Sequence, residues 1–492
     1  MPLAAALADI VLKLPSARVI CVGDVMLDRF VHGKVDRISP EAPIPIIHIK
    51  EEQSMLGGAG NVVRNLVALG ASSAFMSVLG EDRAGSEVMT LLGSESSVEN
   101  FIGVQPDRRT SVKTRFVAGS QQLLRADDET VAPLESYDAD RLVEDVRSQI
   151  KTAGALVLSD YGKGVLDTGM AGILIRLGRE TGVPVIVDPK GRDYTRYEGA
   201  TLLTPNRKEL AEASGMPADS DEEVVAACRR IIETCGVDNV LATRSQDGMT
   251  LVTQDGAVEH MSAEAREVFD VSGAGDTVVA TLAAALAVGA DLSSACRLSN
   301  LAAGVVVGRV GTAAVPRNDL LAAAHHLEVS ASESKVVSLD EARELAGKWR
   351  RRGLRIGFTN GCFDLLHPGH ISLLRQARQA CDRLIIGLNS DASVSRLKGP
   401  TRPVQSEMAR ATVLASLASV DLVVLFGQDT PIDVIRTLLP DVLVKGADYT
   451  VDTVVGADLV QANGGRVVLA KLEDGFSTTA TIARLSEKSS GE

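Results

Sequence analysis

The chain has 492 residues, 45% of them hydrophobic, and 64 acidic against 51 basic side chains give it a formal charge of -13. That length allows two or three full domains, while the acidic balance excludes a general binder of nucleic-acid backbones and the 3% aromatic content offers no stacking platform for single strands. No apolar run is long enough for a membrane span, and six cysteines without a Cys-x-x-Cys pair read as reduced thiols of a cytoplasmic protein with no structural zinc.

In chain order, Leu3 to Leu14 is apolar but lacks a basic leader and is interrupted by Asp9 and Lys13, which does not suit a signal peptide. Val19 to Gly23 reads as a buried strand that delivers Asp24 at its carboxyl end, where ligands of open α/β sheets collect; Asp24 and Asp28 are therefore candidates for sugar hydroxyls. Val31 to Ile49 alternates polar and apolar residues around Pro40, Pro43 and Pro45, which predicts short edge strands in a small lid sheet. Gly57-Gly58-Ala59-Gly60-Asn61 is a Gly-rich turn opening a helix over 62–69, and Asn61 can hydrogen-bond a polyol. Lys113, Arg115 and Arg125 add basic charge to the lid region and suit a phosphorylated sugar; taken singly, each reads equally well as ordinary surface charge.

Farther on, Thr204-Pro205-Asn206 is a turn and helix-cap signal leading into Arg207-Lys208-Glu209. Gly273-Ala274-Gly275-Asp276-Thr277 then precedes an apolar run, Val278 to Val288, that predicts a buried helix. Small residues at its start leave backbone N–H groups free to converge on an anion at the positive end of that helix. A carboxylate at Asp276 can accept the proton of an alcohol attacking a γ-phosphoryl group, which is kinase chemistry without a Walker loop. A Gly-rich turn before a core helix is the plainer alternative.

Gly58-Ala59-Gly60-Asn61, Asn206-Arg207-Lys208-Glu209 and Asp270 to Thr277 together resemble the ribokinase (phosphofructokinase B-type) sugar kinases, over roughly the first two-thirds of the chain. The resemblance implies an α/β three-layer domain with a small β lid, Asp276 as catalytic base, and an anion hole formed by Gly273, Ala274 and Gly275. It also implies that Asn206 and Glu209 organise Mg²⁺ and ATP phosphates through water, with no direct protein ligand to the metal, and that Arg207, Lys208, Thr243 and Arg244 lie along the nucleotide. Asp24, Asp28, Gly57, Gly58, Asn61, Lys113, Arg115 and Arg125 fall on the sugar side.

After Val315-Pro316 the apolar pattern breaks, and Glu328 to Lys335 has linker composition. Ser338 with Glu341 forms a capping-box pattern for a helix to about Trp349, ended by Arg350 to Arg352 and Gly353. The expected division is 1–328 for the kinase, 329–352 for linker and connecting helix, and 353–492 for a second enzyme. There Arg355 to Thr359 reads as a strand, Asn360 to Asp364 as a turn, and Ile371 to Ala377 as a helix starting at His370. Two imidazoles, His367 and His370, flank that start and can neutralise charge as an α-phosphorus is attacked; metal ligation or a chance pair are the other readings of that spacing.

Gly361 to His370, with Ser477-Thr478-Thr479 downstream, resembles the cytidylyltransferase-like nucleotidyltransferases. Their Rossmann-like sheet is the implied fold. The resemblance places His367 and His370 on the triphosphate, Lys398 and Lys445 on phosphate charge, and Thr359, Gly361, Phe363, Ser477 and Thr478 around the nucleotide. Lys398 sits in a basic Lys-Gly-Pro-Thr-Arg loop that reads otherwise as a solvated turn. Across the whole chain, the addition of Gly23 to Arg29, Arg37 to Pro43, Ser159 to Gly164 and Asp188 to Gly191 resembles the bifunctional heptose 7-phosphate kinase and heptose 1-phosphate adenylyltransferase enzymes. That resemblance implies ATP with Mg²⁺, heptose phosphate substrates, ADP-heptose for the lipopolysaccharide inner core, a homodimer, and no nucleic-acid or membrane partner. Ser272, Phe269 and Phe476 depart from residues frequent in the family, and none of them removes a proposed catalytic group. A different sugar kinase fused to another nucleotidyltransferase, or a binder that has lost turnover, are the competing readings.

Overall fold

The structure, a computed structural model, describes residues 3–119, 121–264, 271, 273–309, 313–333, 335–447 and 449–471. These form two compact units divided between His325 and His326.

The first unit contains strands β1 (Arg18–Gly23), β2 (Val25–Ile38), β3 (Pro45–Gly58), β4 (Ser72–Gly80), β5 (Val98–Gln105), β6 (Ser111–Ala118) and β7 (Gln121–Asp128). It continues with β8 (Ala155–Ser159), β9 (Val185–Asp188), β10 (Leu202–Leu203), β11 (Asn239–Thr243), β12 (Met249–Thr253) and β13 (Val258–Met261). Its helices are α1 (Leu3–Lys13), α2 (Ala59–Ala68), α3 (Arg83–Gly93), α4 (Ser136–Gln149), α5 (Met170–Thr181), α6 (Arg207–Ser214), α7 (Asp221–Cys235), α8 (Ala274–Ala287) and α9 (Leu292–Val306). Nine strands make one sheet in the order β13-β12-β11-β10-β9-β8-β1-β4-β5, parallel except for the antiparallel pairs that β12 makes with β11 and β13. The order reverses at β1, which has β4 on one side and β8 on the other, so the carboxyl end of β1 is the switch point at which open α/β sheets bind ligands.

Helices cover both faces of this sheet. On one face α4, α5 and α7 complete a core with β1, β8 and β9; on the other lie α2 and α8. The run Val19 to Val22 is buried on both sides, which is why it reads as continuously apolar rather than alternating. Along α8 the small residues Ala280, Ala283, Ala284 and Ala285 are fully buried and let the helix lie close against β1, β8 and β9. Burial of Leu282 on the same helix contributes about 2 kcal/mol.

The lid is a four-stranded sheet in the order β3-β2-β6-β7. Its first two strands are 14 residues each, longer than the short edge strands that the prolines predict. Pro40 and Pro43 fall in the connection, where they break no ladder, and Pro45 is the first residue of the edge strand β3. Register shifts after His32 and after Val35 let this long ribbon twist.

Helix α10 (Arg317–Glu333) spans the division, so residues 329–333, expected as linker, continue a helix. The second unit holds β14 (Val336–Val337), β15 (Ile356–Gly361), β16 (Arg383–Asn389), β17 (Leu422–Phe426), β18 (Val442–Gly446) and β19 (Arg466–Ala470). Its helices are α11 (Leu339–Arg351), α12 (Pro368–Ala380), α13 (Asp391–Lys398), α14 (Glu407–Ala415), α15 (Ile432–Leu438) and α16 (Ala457–Ala462). The six strands form one parallel sheet in the order β14-β17-β16-β15-β18-β19, with its own reversal at β15. Ser338 caps α11 with Glu341 in the expected box, and Ala342 and Ala346 are buried in this unit's core while β14 pairs with β17. The segment expected to connect the enzymes is thus partly built into the second one. No described helix is long and apolar enough to cross a membrane, and all six cysteines are free thiols.

Candidate functional site

In the first unit, Gly273 takes a left-handed φ of 79° as the cap of α8, which puts Asp276 in the first turn of that helix. The Asp276 side chain is buried, and each carboxylate oxygen has a donor: the Asn61 amide at 2.7 Å on Oδ2 and the Tyr161 hydroxyl at 2.7 Å on Oδ1. Burial pushes the acid up to about 6, against the two hydrogen bonds that favour its charged form, and nearby Asp28 adds to the rise. Asn61 is held in turn by the Arg64 guanidinium on its Oδ1 at 3.3 Å, within α2. Gly58 starts α2 at a φ of 57°, where any side chain would meet the Asp24 carbonyl.

Asp24 stands at the end of β1 as the strand pattern predicts, but both its oxygens accept main-chain N–H groups: Tyr161 at 2.9 Å, Lys163 at 3.0 Å and Val165 at 3.0 Å. It anchors the loop after β8. Asp28 lies on the neighbouring lid strand, paired with Arg115 at 2.5 Å and packed against Gly57, where a side chain would collide with its carboxylate. Register aligns Asp28, Lys113 and Asp127 across β2, β6 and β7, and Lys113 bonds Asp127 at 3.2 Å. Arg125 bonds the same Asp127 at 2.9 Å and is exposed.

A cleft of about 240 Å³ lies beside Asp276, lined by Asp160, Tyr161, Asp188, Lys190, Asn206, Glu209, Thr243 and Gly275 among others. Asn206 and Glu209 form a full capping box on α6, and the second Glu209 oxygen accepts from Lys190 at 2.8 Å. Burial, with Asp276 and Glu209 adding like charge, raises the Asp188 carboxyl well above the usual range. Arg207, Lys208 and Arg244 are not among the cleft-lining residues. Arg207 pairs with Asp247, Lys208 approaches Glu212 at 3.8 Å, and Arg244 is buried on Asp221 at 2.5 Å and Thr250 at 2.9 Å.

In the second unit His367 caps α12, with Pro368 in the first turn, and the His367 and His370 rings stack 3.8 Å apart. Phe363 packs on His370 at 5.1 Å from a left-handed backbone with φ 42°. Burial, then His367 and Lys398, push His370 down to about 4, so it is neutral at pH 7. The exposed Lys398 at the end of α13 therefore lies within electrostatic reach of His370. Thr359 is buried on β15, Gly361 ends that strand, and Lys445 on β18 donates to the Asn360 carbonyl at 3.2 Å. Gly361, Phe363, the histidine pair and Lys445 gather at the carboxyl end of β15, the switch point of this sheet. Ser477 and Thr478 lie outside the described residues, as do Phe269, Ser272 and Phe476.

Residues 16–319 match the pfkB family carbohydrate kinases and residues 358–484 the Cytidylyltransferase-like family. The bifunctional protein HldE of Rhodospirillum rubrum is 74% identical over 98% of this chain and 97% of its own length. That of Paramagnetospirillum magneticum is 62% identical over 98% of each. The chain belongs to the HldE family of bifunctional proteins. It is a two-domain enzyme, a carbohydrate kinase joined to a nucleotidyltransferase. The kinase fold is shared with phosphofructokinase-2 from Escherichia coli, at TM-score 0.53 and 20% identity over 63% of this chain and 98% of that one. It is also shared with Arabidopsis thaliana ribokinase, at TM-score 0.50 and 22% identity over 63% and 98%.

Sequence reasoning gave no role to Tyr161, Asp188, Lys190 or Arg410. The first three sit in quoted motifs, Ser159 to Gly164 and Asp188 to Gly191, at the ends of β8 and β9; their position after buried parallel strands was the available signal. Arg410 carried none. It is fully buried and bonds the Cys362, Asn389 and Gln405 carbonyls and Asp391, holding the turn after β15 against the end of β16.

Proposed function

We propose that the first domain phosphorylates the anomeric hydroxyl of D-glycero-β-D-manno-heptose 7-phosphate, giving the 1,7-bisphosphate. The second then joins heptose 1-phosphate to AMP from ATP, releasing pyrophosphate and ADP-heptose. A separate phosphatase removes the 7-phosphate between the steps. Full-length likeness to the HldE proteins supports the sugar, and one observation carries the kinase mechanism: a buried carboxylate, Asp276, in the first turn of α8 beside the cleft.

In this reading Asp276 takes the proton of the anomeric hydroxyl, while the start of α8 at Gly273, Ala274 and Gly275 stabilises the transferring phosphate. Asn206, Glu209 and Thr243 line the nucleotide side of the cleft, and Lys190 is a cation within it. The crowding of Asp188, Glu209 and Asp276 fits a divalent cation arriving with ATP and met through water by Asn206 and Glu209. Mg²⁺ would neutralise charge on the β- and γ-phosphates. Lys113 and Arg115 of the lid face a phosphorylated sugar, with Asp28 and Asn61 on its hydroxyls. Asp24 acts as loop anchor rather than sugar ligand, and Arg207, Lys208, Arg244 and Arg125 stay at the periphery.

In the transferase, His367 and His370 at the start of α12 receive the triphosphate, with Lys445 and Lys398 supplying charge and Thr359, Gly361 and Phe363 shaping the floor. Neutral His370 keeps one ring N–H and donates it as a hydrogen bond to developing negative charge. We assign the activities to residues 1–328 and 353–492 and place the enzyme in the cytoplasm as a homodimer. Ile38, Ile44 and Ile49, exposed on lid strands or the turn between them, favour a second copy at that sheet.

Phosphorus NMR tests the reading. With ATP, Mg²⁺ and heptose 7-phosphate, an anomeric phosphate should appear, followed by a pyrophosphate diester once a 7-phosphate-specific phosphatase is added. Turnover of fructose 6-phosphate but not heptose 7-phosphate would leave both enzymes in place and overturn the sugar.

A further inference from the structure

We propose that Tyr161 is a positioning residue of phosphoryl transfer: its hydroxyl clamps the Asp276 carboxylate in the orientation that meets the acceptor alcohol. The inference rests on the reading of Asp276 as general base and goes beyond it by naming what aims that base.

The geometry is a two-point hold. Tyr161 donates to Oδ1 and Asn61 to Oδ2, both at 2.7 Å, so rotating the carboxylate about its last torsion breaks both bonds together. Each oxygen keeps a second lone-pair direction, which leaves room for the alcohol proton. Tyr161 also lines the cleft with Gly275 and Lys190, so the residue that bonds the base borders the space beside it. Its main chain is fixed by a second buried carboxylate: Asp24 accepts the N–H groups of Tyr161, Lys163 and Val165, and Asp160 accepts that of Gly162 at 2.8 Å. A loop tied at four points within five residues delivers one phenol to one oxygen.

The charges around Asp276 show why a neutral donor is used. Asp28 on β2 and Asp188 at the end of β9 repel its ionised form, and Cys21 on β1 contributes no positive charge. Arg115 is held on Asp28, and Arg64 donates to Asn61, the residue that bonds the base. Among the described residues, the side chains that donate directly to the carboxylate are Asn61 and Tyr161. During transfer the alcohol oxygen bonds to the γ-phosphorus and the bond from that phosphorus to the bridging oxygen breaks, its electron pair leaving on ADP. The alcohol proton passes to Asp276, and Tyr161 keeps its own.

The test is Tyr161→Phe in the full chain, with the kinase kcat and KM followed from pH 5 to 8, adenylyl transfer assayed in the same preparation and Asp276→Asn run in parallel. Loss of one donor should lower kcat about tenfold, leave the sugar KM nearly unchanged and move the acid limb of kcat/KM upward by about one pH unit, with adenylyl transfer intact. Should the Phe variant melt early, Tyr161→His restores a donor at that place and should return the limb toward its original position. A Phe variant with the original kcat and limb, or one that loses kcat while the limb stays put, overturns the clamp. Kinase activity surviving in Asp276→Asn would instead overturn the base itself.

Discussion

Burial drives the charged forms of Asp276 and His370 toward neutrality, one up to about 6 and the other down to about 4, yet the two sites hold these groups by opposite means. Asp276 is bonded by Asn61, 215 positions away, and by Tyr161, 115 away. His370 is stacked against His367 from the same turn of α12 and against Phe363 in the turn just before it. Asp276 is thus held by long-range tertiary contacts, whereas the ring contacts of His370 come from a single local segment. Changes in loops remote in sequence should disturb the first site, whereas the second should respond mainly to changes near α12.

Exchanging the central groups is the sharpest way to break this contrast. Asp276→Asn should cut kinase turnover by about 10³-fold and spare adenylyl transfer, and His370→Ala should cut adenylyl transfer by about 10²-fold and spare the kinase, in separate assays of each variant. Coupled loss in either variant would undermine the independence of the sites. Arg410→Ala tests whether the transferase is as local as it looks. Removing a buried guanidinium that holds three carbonyls and Asp391 should cost about 3 to 5 kcal/mol in urea unfolding and displace the turn carrying Phe363.

Asp24→Ala probes the long-range side: three main-chain N–H groups lose their acceptor, for about 3 kcal/mol, and kinase turnover should fall with the melting temperature while adenylyl transfer in the folded protein persists. Were Asp24 a sugar ligand instead, KM for the sugar would rise more than stability fell. The smallest effect is expected in pH dependence. Kinase activity should fall as pH drops below about 6, because the base must be ionised. For stability the two groups pull in opposite directions. From the usual carboxylate range up to about 6, the unfolded chain holds Asp276 ionised while the fold keeps it protonated, so its contribution weakens as pH rises. From pH 6.5 down to about 4 the unfolded chain protonates His370 and the fold does not, so that contribution weakens as pH falls. Unfolding curves of Asp276→Asn and His370→Ala across this window should therefore diverge from the parent with opposite slopes.

What could be read beforehand follows the same division. The strand ending at Asp24, the helix cap at Asn206, the capping box at Ser338, and the helices after Gly273 and His367 are short-range patterns, and the structure places elements there. The lid strands came out longer than Pro40, Pro43 and Pro45 suggested, because a proline in a connection interrupts no ladder and its place was not visible without the pairing. Arg244 is basic and next to a cleft residue, yet it turns to Asp221 and Thr250; adjacency in sequence did not give its direction.

The sequence by itself determined roughly where helices begin, to within a turn, that the strand ending at Asp24 is buried on both faces, and which motifs point to phosphate chemistry, because capping, periodicity and a Gly-Ala-Gly-Asp or His-x-x-His spacing act within one or two turns of chain. Only the tertiary structure decided that Asp24 anchors a loop, that Tyr161 and Asn61 meet on one carboxylate, and that Arg410 braces the transferase turn. Those contacts join segments separated by tens to hundreds of residues, and a hydrogen bond of 2.7 Å across such a span exists only once both sheets have fixed their strand order.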